Sequence, residues 1–314
     1  MTEPVSLARP RALKAGDRVA VLSVSSPVDP EALNAGLDAL CFAGLDPVTY
    51  PSAHDPGTMR RYLAGDDAMR AGDLRSALTD PGIAGILFAR GGSGAQRTLE
   101  VMDWDGLGPE AETGMPPKVL AGYSDVTAVL EAVAVRLGWA SVFGPNIAIS
   151  QGASHYSFGS LLRTLMRPEQ ATMVEYPRAV TVVPGLARGV TTGGTLSLLV
   201  SSLGTGTSRP ARGGILLLED VNEEDYRIDR MLTQLRRSGY LDGVAGIVGG
   251  TFTGCGPPEA IHDILAERLG DLQVPMIAWA NVGHGGLFQA FPYGIAAELD
   301  AGAATLRLLD APLS

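Results

Sequence analysis

Three stretches of this 314-residue chain hold side chains that could do covalent chemistry. The first is Pro117-Lys-Val-Leu-Ala-Gly-Tyr-Ser-Asp-Val-Thr127, where a short apolar run meets Gly122, then Ser124, then helical periodicity through Val129, Leu130, Val133 and Val135. This reads as a strand-to-helix turn with a serine at its apex. Such a turn lifts the hydroxyl clear of the sheet and aims the first free N–H groups of the helix, with the positive end of its dipole, at whatever the hydroxyl attacks. Val126 stands where a hydrolase elbow carries its second glycine, so the match is partial. The alternative for Ser124 or Asp125 is a helix N-cap.

The second stretch, Gly214-Ile-Leu-Leu-Leu-Glu219, is a continuous apolar run closed by a carboxylate. That pattern suggests a strand buried on both faces, with Glu219 at its carboxyl end and in need of a partner. Alternatively, Glu219 joins Asp220, Glu223 and Glu224 in capping a helix that starts near Asp225, which is the reading adopted for the three later acids. The third is Asn281-Val-Gly-His-Gly-Gly286. His284 has glycine on both sides, so the backbone can aim its ring, and imidazole is the usual base for a serine hydroxyl near neutrality. His54, His155 and His262 lie in polar contexts that read as surface.

A fourth stretch, Gly85-Ile-Leu-Phe-Ala-Arg-Gly-Gly-Ser-Gly94, runs a strand into glycines that can turn backbone N–H groups toward an anion. A phosphate, a carboxylate or an acyl-transfer oxyanion would fit. No Gly-Lys-Ser/Thr follows, and the dinucleotide fingerprint is incomplete. Ser124, Glu219 and His284 thus occur in the order nucleophile, acid, base, each at the predicted end of a strand or turn, with possible oxyanion donors upstream.

The elements around them predict an α/β protein of two domains. An N-terminal parallel-sheet domain, residues 1–166, carries the nucleophile; a linker spans 167–188; a C-terminal mixed α/β domain, 189–314, carries Glu219 and His284. Strands are expected over 17–25 and 47–50, with a helix over 30–42 between them. Residues 167–188 hold three prolines without helical periodicity, hence the linker. The formal charge of −10 argues against nucleic acid and anionic membrane surfaces as partners. Residues 1–12 lack a signal-peptide core, no run is long enough to span a bilayer, and the cytoplasm is the expected compartment. Cys41 and Cys255 lie far apart, with no spacing that suggests a metal site. Neither metal nor organic cofactor is expected.

Over nearly its whole length the chain resembles the LD-carboxypeptidases, serine peptidases that include muramoyltetrapeptide carboxypeptidases and microcin C self-immunity peptidases. The marks are Ala89-Arg-Gly-Gly-Ser-Gly94, Gly122-Tyr-Ser-Asp-Val-Thr127, Gly193-Gly-Thr-Leu196, Gly283-His-Gly285, and the highly specific run from Leu218 to Arg230, Leu-Glu-Asp-Val-Asn-Glu-Glu-Asp-Tyr-Arg-Ile-Asp-Arg. The resemblance implies a triad of Ser124, Glu219 and His284, oxyanion donors from the backbone of Asp125 and Gly92, and a homodimer. Two positions depart from the family pattern: Ser93 replaces a tyrosine, and Thr195 an asparagine. Both are expected to leave the chemistry untouched, with Ser93 lining the cleft.

The family implies either of two substrates, a murein tetrapeptide that loses its terminal D-alanine or an aminoacyl-nucleotide amide. Trp104, Trp139 and Trp279 offer no evident stacking platform for a base, and the aromatic-free segment 203–214 favours the small leaving group. Arg90 could pair with a substrate carboxylate or with a structural partner. The competing reading from another class is a non-catalytic two-domain protein that closes on a small ligand.

Overall fold

The computed structural model describes residues 5–148 and 155–314. Residues 1–4 of the N-terminal segment read above, and the surroundings of the His155 side chain, lie outside the described residues. The first sheet is built from β1 (Arg18–Leu22), β2 (Asp46–Thr49), β3 (Gly85–Phe88), β4 (Val119–Gly122) and β5 (Ser141–Phe143), all parallel, in the order β2-β1-β3-β4-β5. The helices threaded among and after them are α1 (Pro30–Phe42), α2 (Asp67–Thr79), α3 (Ala95–Glu100), α4 (Glu110–Thr113), α5 (Thr127–Arg136) and α6 (His155–Met166). The strand order reverses between β1 and β3, and the loops that leave their carboxyl ends are Ser23 onward and the glycine stretch after Phe88. That crevice is where open parallel sheets gather ligands.

Strand periodicity explains the unbroken apolar runs. Val19, Val21, Leu87, Val119, Ala121 and Val142 point into one core, whereas Ala20, Leu22, Ile86, Phe88, Leu120 and Phe143 point into another. A sheet covered on both faces needs apolar residues at every position.

The second sheet is mixed and eight-stranded: β6 (Met173–Glu175), β7 (Val180–Val183), β8 (Leu186–Thr195), β9 (Gly214–Val221), β10 (Gly246–Thr253), β11 (Met276–Ala278), β13 (Ala296–Asp300) and β14 (Thr305–Leu308), in the order β6-β14-β13-β8-β9-β10-β11-β7. Strands β8 to β11 are mutually parallel, and the flanking strands are antiparallel. Helices α7 (Leu196–Ser201), α8 (Asp225–Arg237) and α9 (Pro258–Leu269) cover one face. The other face shares a continuous core with the first sheet, in which Ile215, Leu217 and Val248 meet Val126, Leu130 and Val133.

Two segments differ from the two-domain expectation. Within 167–188, read as a linker, β6 and β7 form the two edges of the second sheet, and β8 begins at Leu186. Edge strands bury one face at most, so prolines and polar residues are tolerated there and the strand signal is weak. Later, β12 (Phe291–Tyr293) leaves the second half and pairs antiparallel with β5, as the edge of the first sheet. Among the described residues no helix is long and apolar enough to cross a membrane.

Candidate active site

Ser124 follows β4 after one extended residue, Tyr123, and takes φ +64° before a short 3-10 turn, Ser124–Val126, leads into α5. A non-glycine residue in the left-handed region is strained, and such strain persists where the surroundings over-determine it. Here the crowding is visible. A Cβ on Gly122 would lie 2.8 Å from Val126 and 2.9 Å from Phe88, and one on Gly91 would lie 2.8 Å from Ser124 Cβ. The serine does not cap the helix, since no side-chain cap bond forms at this turn. Its Oγ instead lies 3.1 Å from His284 Nε2.

The alternation of β9 sends Glu219 and its neighbour in opposite directions. Ile215 and Leu217 face the shared core, whereas Leu216 and Leu218 face the helices, so Glu219 falls on the side of the first sheet. It is 0% exposed. Its Oε2 accepts from the backbone N–H of His284 at 3.0 Å and pairs with His284 Nδ1 at 2.8 Å, while Thr195 Oγ1 donates to Oε1 at 2.5 Å. Asp220 points the other way, where it accepts from Ser197 N at 2.8 Å at the start of α7. It therefore serves α7 and not the helix at Asp225, whose N-cap residue is Glu224, without a side-chain cap bond.

His284 reaches this position because Gly283 takes φ +109° and has no side chain; a Cβ there would collide with Glu219 Oε2. With a carboxylate against Nδ1, the proton is assigned to that nitrogen, which leaves Nε2 bare to accept from Ser124. Burial pulls the imidazole pKa down, but the Glu219 hydrogen bond and charge, with the charge of Asp220, more than offset it, and the net shift is upward from 6.5. The Tyr123 ring lies 4.8 Å from the imidazole and edge-on to Phe288 at 5.0 Å, an aromatic wall on one side of His284.

The glycine loop lies against the serine turn, with Gly91 beside Ser124 and Gly92 at φ +109°. Two of its backbone groups are occupied: Ser93 N–H donates to Ser26 Oγ at 3.0 Å, and Gly91 O accepts from Ser26 N–H at 3.2 Å. The Asp125 carboxylate, expected only for its backbone or a cap, accepts from Ser25 Oγ at 2.6 Å and from Ala95 N–H at 2.7 Å. It thereby ties the loop after β1 and the start of α3 to the Ser124 turn, and burial raises its pKa. Arg90 is exposed and donates to Pro27 O at 2.7 Å, with no ion pair among the described residues. Of its two expected roles, the structural salt bridge is absent.

Sequence reasoning missed Thr195, which was expected not to touch the chemistry and which bonds the buried acid directly. Thr195 and Glu219 are register partners on the parallel strands β8 and β9, a relation that spacing along the chain does not reveal. The other histidines sit apart: His54 is exposed, His262 is half-buried on α9, and His155 opens α6. Both cysteines are free. Among the described residues no group of three or more His, Cys, Asp and Glu could hold a metal ion.

A nucleophile-like serine, a histidine and a buried acid, held in line beside a glycine loop, can carry out acyl transfer, and similarity to known proteins agrees. Residues 19–144 match the model of the LD-carboxypeptidase N-terminal domain, and residues 188–299 that of the LD-carboxypeptidase C-terminal domain. The chain is 47% identical over 304 residues to a carboxypeptidase homologue of Streptomyces coelicolor, which covers 96% of each. It is 31% identical over 303 residues to the murein tetrapeptide carboxypeptidase of Pseudomonas aeruginosa, which covers 90% of this chain and 93% of that one. Among solved structures, MccF in complex with glutamyl sulfamoyl guanosine has the same fold, with a TM-score of 0.85 at 21% identity over 98% of this chain and 99% of that one. Muramoyltetrapeptide carboxypeptidase from Oxalobacter formigenes follows, with a TM-score of 0.76 at 24% identity over 93% and 97% of the two chains. With both halves matched in order and whole-length relatives above 30% identity, the chain belongs to the LD-carboxypeptidase family.

Proposed function

We propose that the protein is a metal-independent serine carboxypeptidase that cleaves the L,D amide bond releasing terminal D-alanine from a murein tetrapeptide. The observation that carries this reading is the aligned relay from Glu219 through His284 to Ser124, at 2.8 Å and 3.1 Å. In the proposed reaction, Ser124 Oγ attacks the carbonyl carbon of the L-centre while His284 Nε2 takes its proton. Glu219 holds the imidazolium, and the N–H groups of Gly92 and Asp125 receive the oxyanion. The C–N bond then breaks, with the proton passing from His284 to the leaving amine of D-alanine. Water, deprotonated by the same nitrogen, attacks the acyl-enzyme and returns Ser124.

The alternative substrate is an aminoacyl-nucleotide amide, favoured by the fold neighbour with its bound glutamyl sulfamoyl guanosine. The tryptophans support the smaller leaving group. Trp139 is fully buried, Trp104 packs half-buried against the shared core, and Trp279 stands edge-on to Phe252 at 6.4 Å. Exposed Arg90, one residue from the loop glycine that faces Ser124, is suited to a terminal carboxylate. The reading carries with it a cytoplasmic homodimer.

The test is release of D-alanine from L-Ala-D-Glu-meso-diaminopimelate-D-Ala, followed by chromatography, for the wild type and Ser124→Ala, beside an aminoacyl sulfamoyl adenosine. Turnover of the tetrapeptide that vanishes in a folded Ser124→Ala variant is the expected result. Hydrolysis of the nucleotide analogue alone would exchange the two substrates. Ligand binding without turnover of either would return the chain to the binding-protein reading.

A further inference from the structure

The hydrogen bonds to Glu219 are unevenly divided. Both His284 contacts end on Oε2, and among the described residues the Thr195 hydroxyl is the donor to Oε1. Because a carboxylate can only accept, Thr195 Oγ1 must donate its proton, which fixes the hydroxyl as well as the acid. A fully buried carboxylate oxygen without a donor is costly, so this bond matters more than an exposed one of the same length.

The fold braces Thr195 from two sides. Its backbone N–H donates to Thr127 Oγ1 at 3.2 Å, the first residue of the helix that follows the Ser124 turn. The adjacent Gly194 has no Cβ where Thr127 packs, which permits that approach. One residue at the end of β8 therefore holds the nucleophile's helix with its backbone and the acid with its side chain.

We infer that Thr195 is a positioning residue for the reaction read above: its hydroxyl fixes the plane of the Glu219 carboxylate and shares its charge, and so sets how strongly Glu219 holds the His284 imidazolium. This rests on the proposed relay of Ser124, His284 and Glu219. The other ionisable groups around the pair do not take the place of Thr195. Asp220, next on β9, bonds Ser197. Tyr123 lies with its ring against His284, and Asp125 bonds Ser25 and Ala95. Arg90 on the glycine loop bonds Pro27, Cys255 contacts Thr253 O, and Glu223 pairs with Arg227. With the hydroxyl removed, negative charge withdraws from Oε1 toward Oε2, and the imidazolium is held more tightly.

The experiment compares Thr195→Val, which keeps the shape without the hydroxyl, Thr195→Ala, which leaves a smaller side chain, and Thr195→Ser, which keeps the hydroxyl. The His284 ring is titrated by NMR in histidine-labelled protein, its signal identified by loss in His284→Gln, and kcat/KM for the tetrapeptide is measured against pH. In Val and Ala the ring titration moves upward by about half a pH unit or more, the scale of a lost hydrogen bond to a charged partner. The acid limb of kcat/KM moves with it, kcat/KM at neutral pH falls about threefold for each half unit, and Thr195→Ser restores both. An unmoved ring titration in Val and Ala, or Ser as impaired as Val, would overturn the inference. The ring titration needs no substrate, so it judges Thr195 separately from the hydrolytic reading, which fails instead if Ser124→Ala retains turnover.

Discussion

Replacing Glu131 by glutamine should make the protein more stable in alkali while changing little in acid. Glu131 lies one turn into α5, is 1% exposed, and its Oε1 accepts from Arg209 N–H at 3.2 Å and from the Tyr240 hydroxyl at 3.3 Å. Its buried Oε2 meets no hydrogen-bond geometry among the described residues, although the nearby Ser202 hydroxyl also favours the charged form. Burial raises the pKa from 4.5 to about 7, against the lowering effect of those donors. The folded protein therefore keeps this proton up to about pH 7, whereas the unfolded chain releases it near 4.5. Across that interval the folded state binds more protons, and stability falls as pH rises. An interval of about 2.5 pH units at about 1.4 kcal/mol each gives an upper bound of about 3.5 kcal/mol. Glutamine never ionises, and its amide oxygen can keep the two donors on Oε1. The assay is thermal unfolding of both proteins from about pH 3.5 to about pH 9. Equal midpoints at about pH 3.5, below the unfolded-state value, should open into a gap of about 5 °C in favour of Glu131→Gln by about pH 9. A difference independent of pH would refute the argument, because it would mean that Glu131 ionises alike in both states.

The remaining predictions concern the relay. Since the attacking form needs neutral His284, kcat/KM should rise with pH through a value above the ordinary 6.5 of a free imidazole, and a stopped-time assay from pH 5 to 9 would contradict this if activity fell over that range. The same raised pKa gives His284 a stabilising contribution that is complete in acid and lost as pH climbs through the folded value. Gly91→Ala would put a methyl 2.8 Å from Ser124 Cβ and 3.1 Å from its Oγ, so kcat/KM should drop by about a hundredfold, with a loss of about 1–3 kcal/mol in urea unfolding from the forced shift. For Gly283→Ala, positive φ and the collision with Glu219 act together; urea unfolding should show a loss of about 1–3 kcal/mol, accompanied by loss of turnover.

The parts of the fold governed by local physics were legible in the sequence. Helix α1 has its bounds written out by an Asp29 cap, with its carboxylate on Ala32 N–H, and by Pro30 at the first turn. The buried strands β3 and β9 announce themselves because both faces are covered and the runs 86–88 and 215–218 are unbroken apolar stretches. What depends on pairing between distant segments was not legible. The edge strands β6 and β7 alternate weakly, with Val180 and Met173 exposed, and read as linker. The Phe-Pro-Tyr of β12 is too short to declare which sheet it will join. At the site, residue type and flanking glycines pointed to Ser124 and His284, and an apolar run pointed to Glu219. The direction of Asp220, the brace of Asp125 and the bond from Thr195 emerge only when β8 lies beside β9 and the turn after β4 meets the glycine loop.

The return of β12 to the first sheet bears on when the site can exist during synthesis. His284 sits on a connector anchored by β11 in the second sheet and by β12 in the first. The serine turn, by contrast, is complete once β4 and α5 have formed, some 150 residues earlier in the chain. A ribosome-bound chain that has folded its first sheet thus presents an unactivated hydroxyl, with the edge of β5 still open. His284 belongs to the segment made just before Phe291–Tyr293, which closes that edge, and its ring is held by Glu219 on β9. Serine and imidazole thus come from segments made far apart in the chain, and β13 and β14 have still to pair in the second sheet after β12 is made.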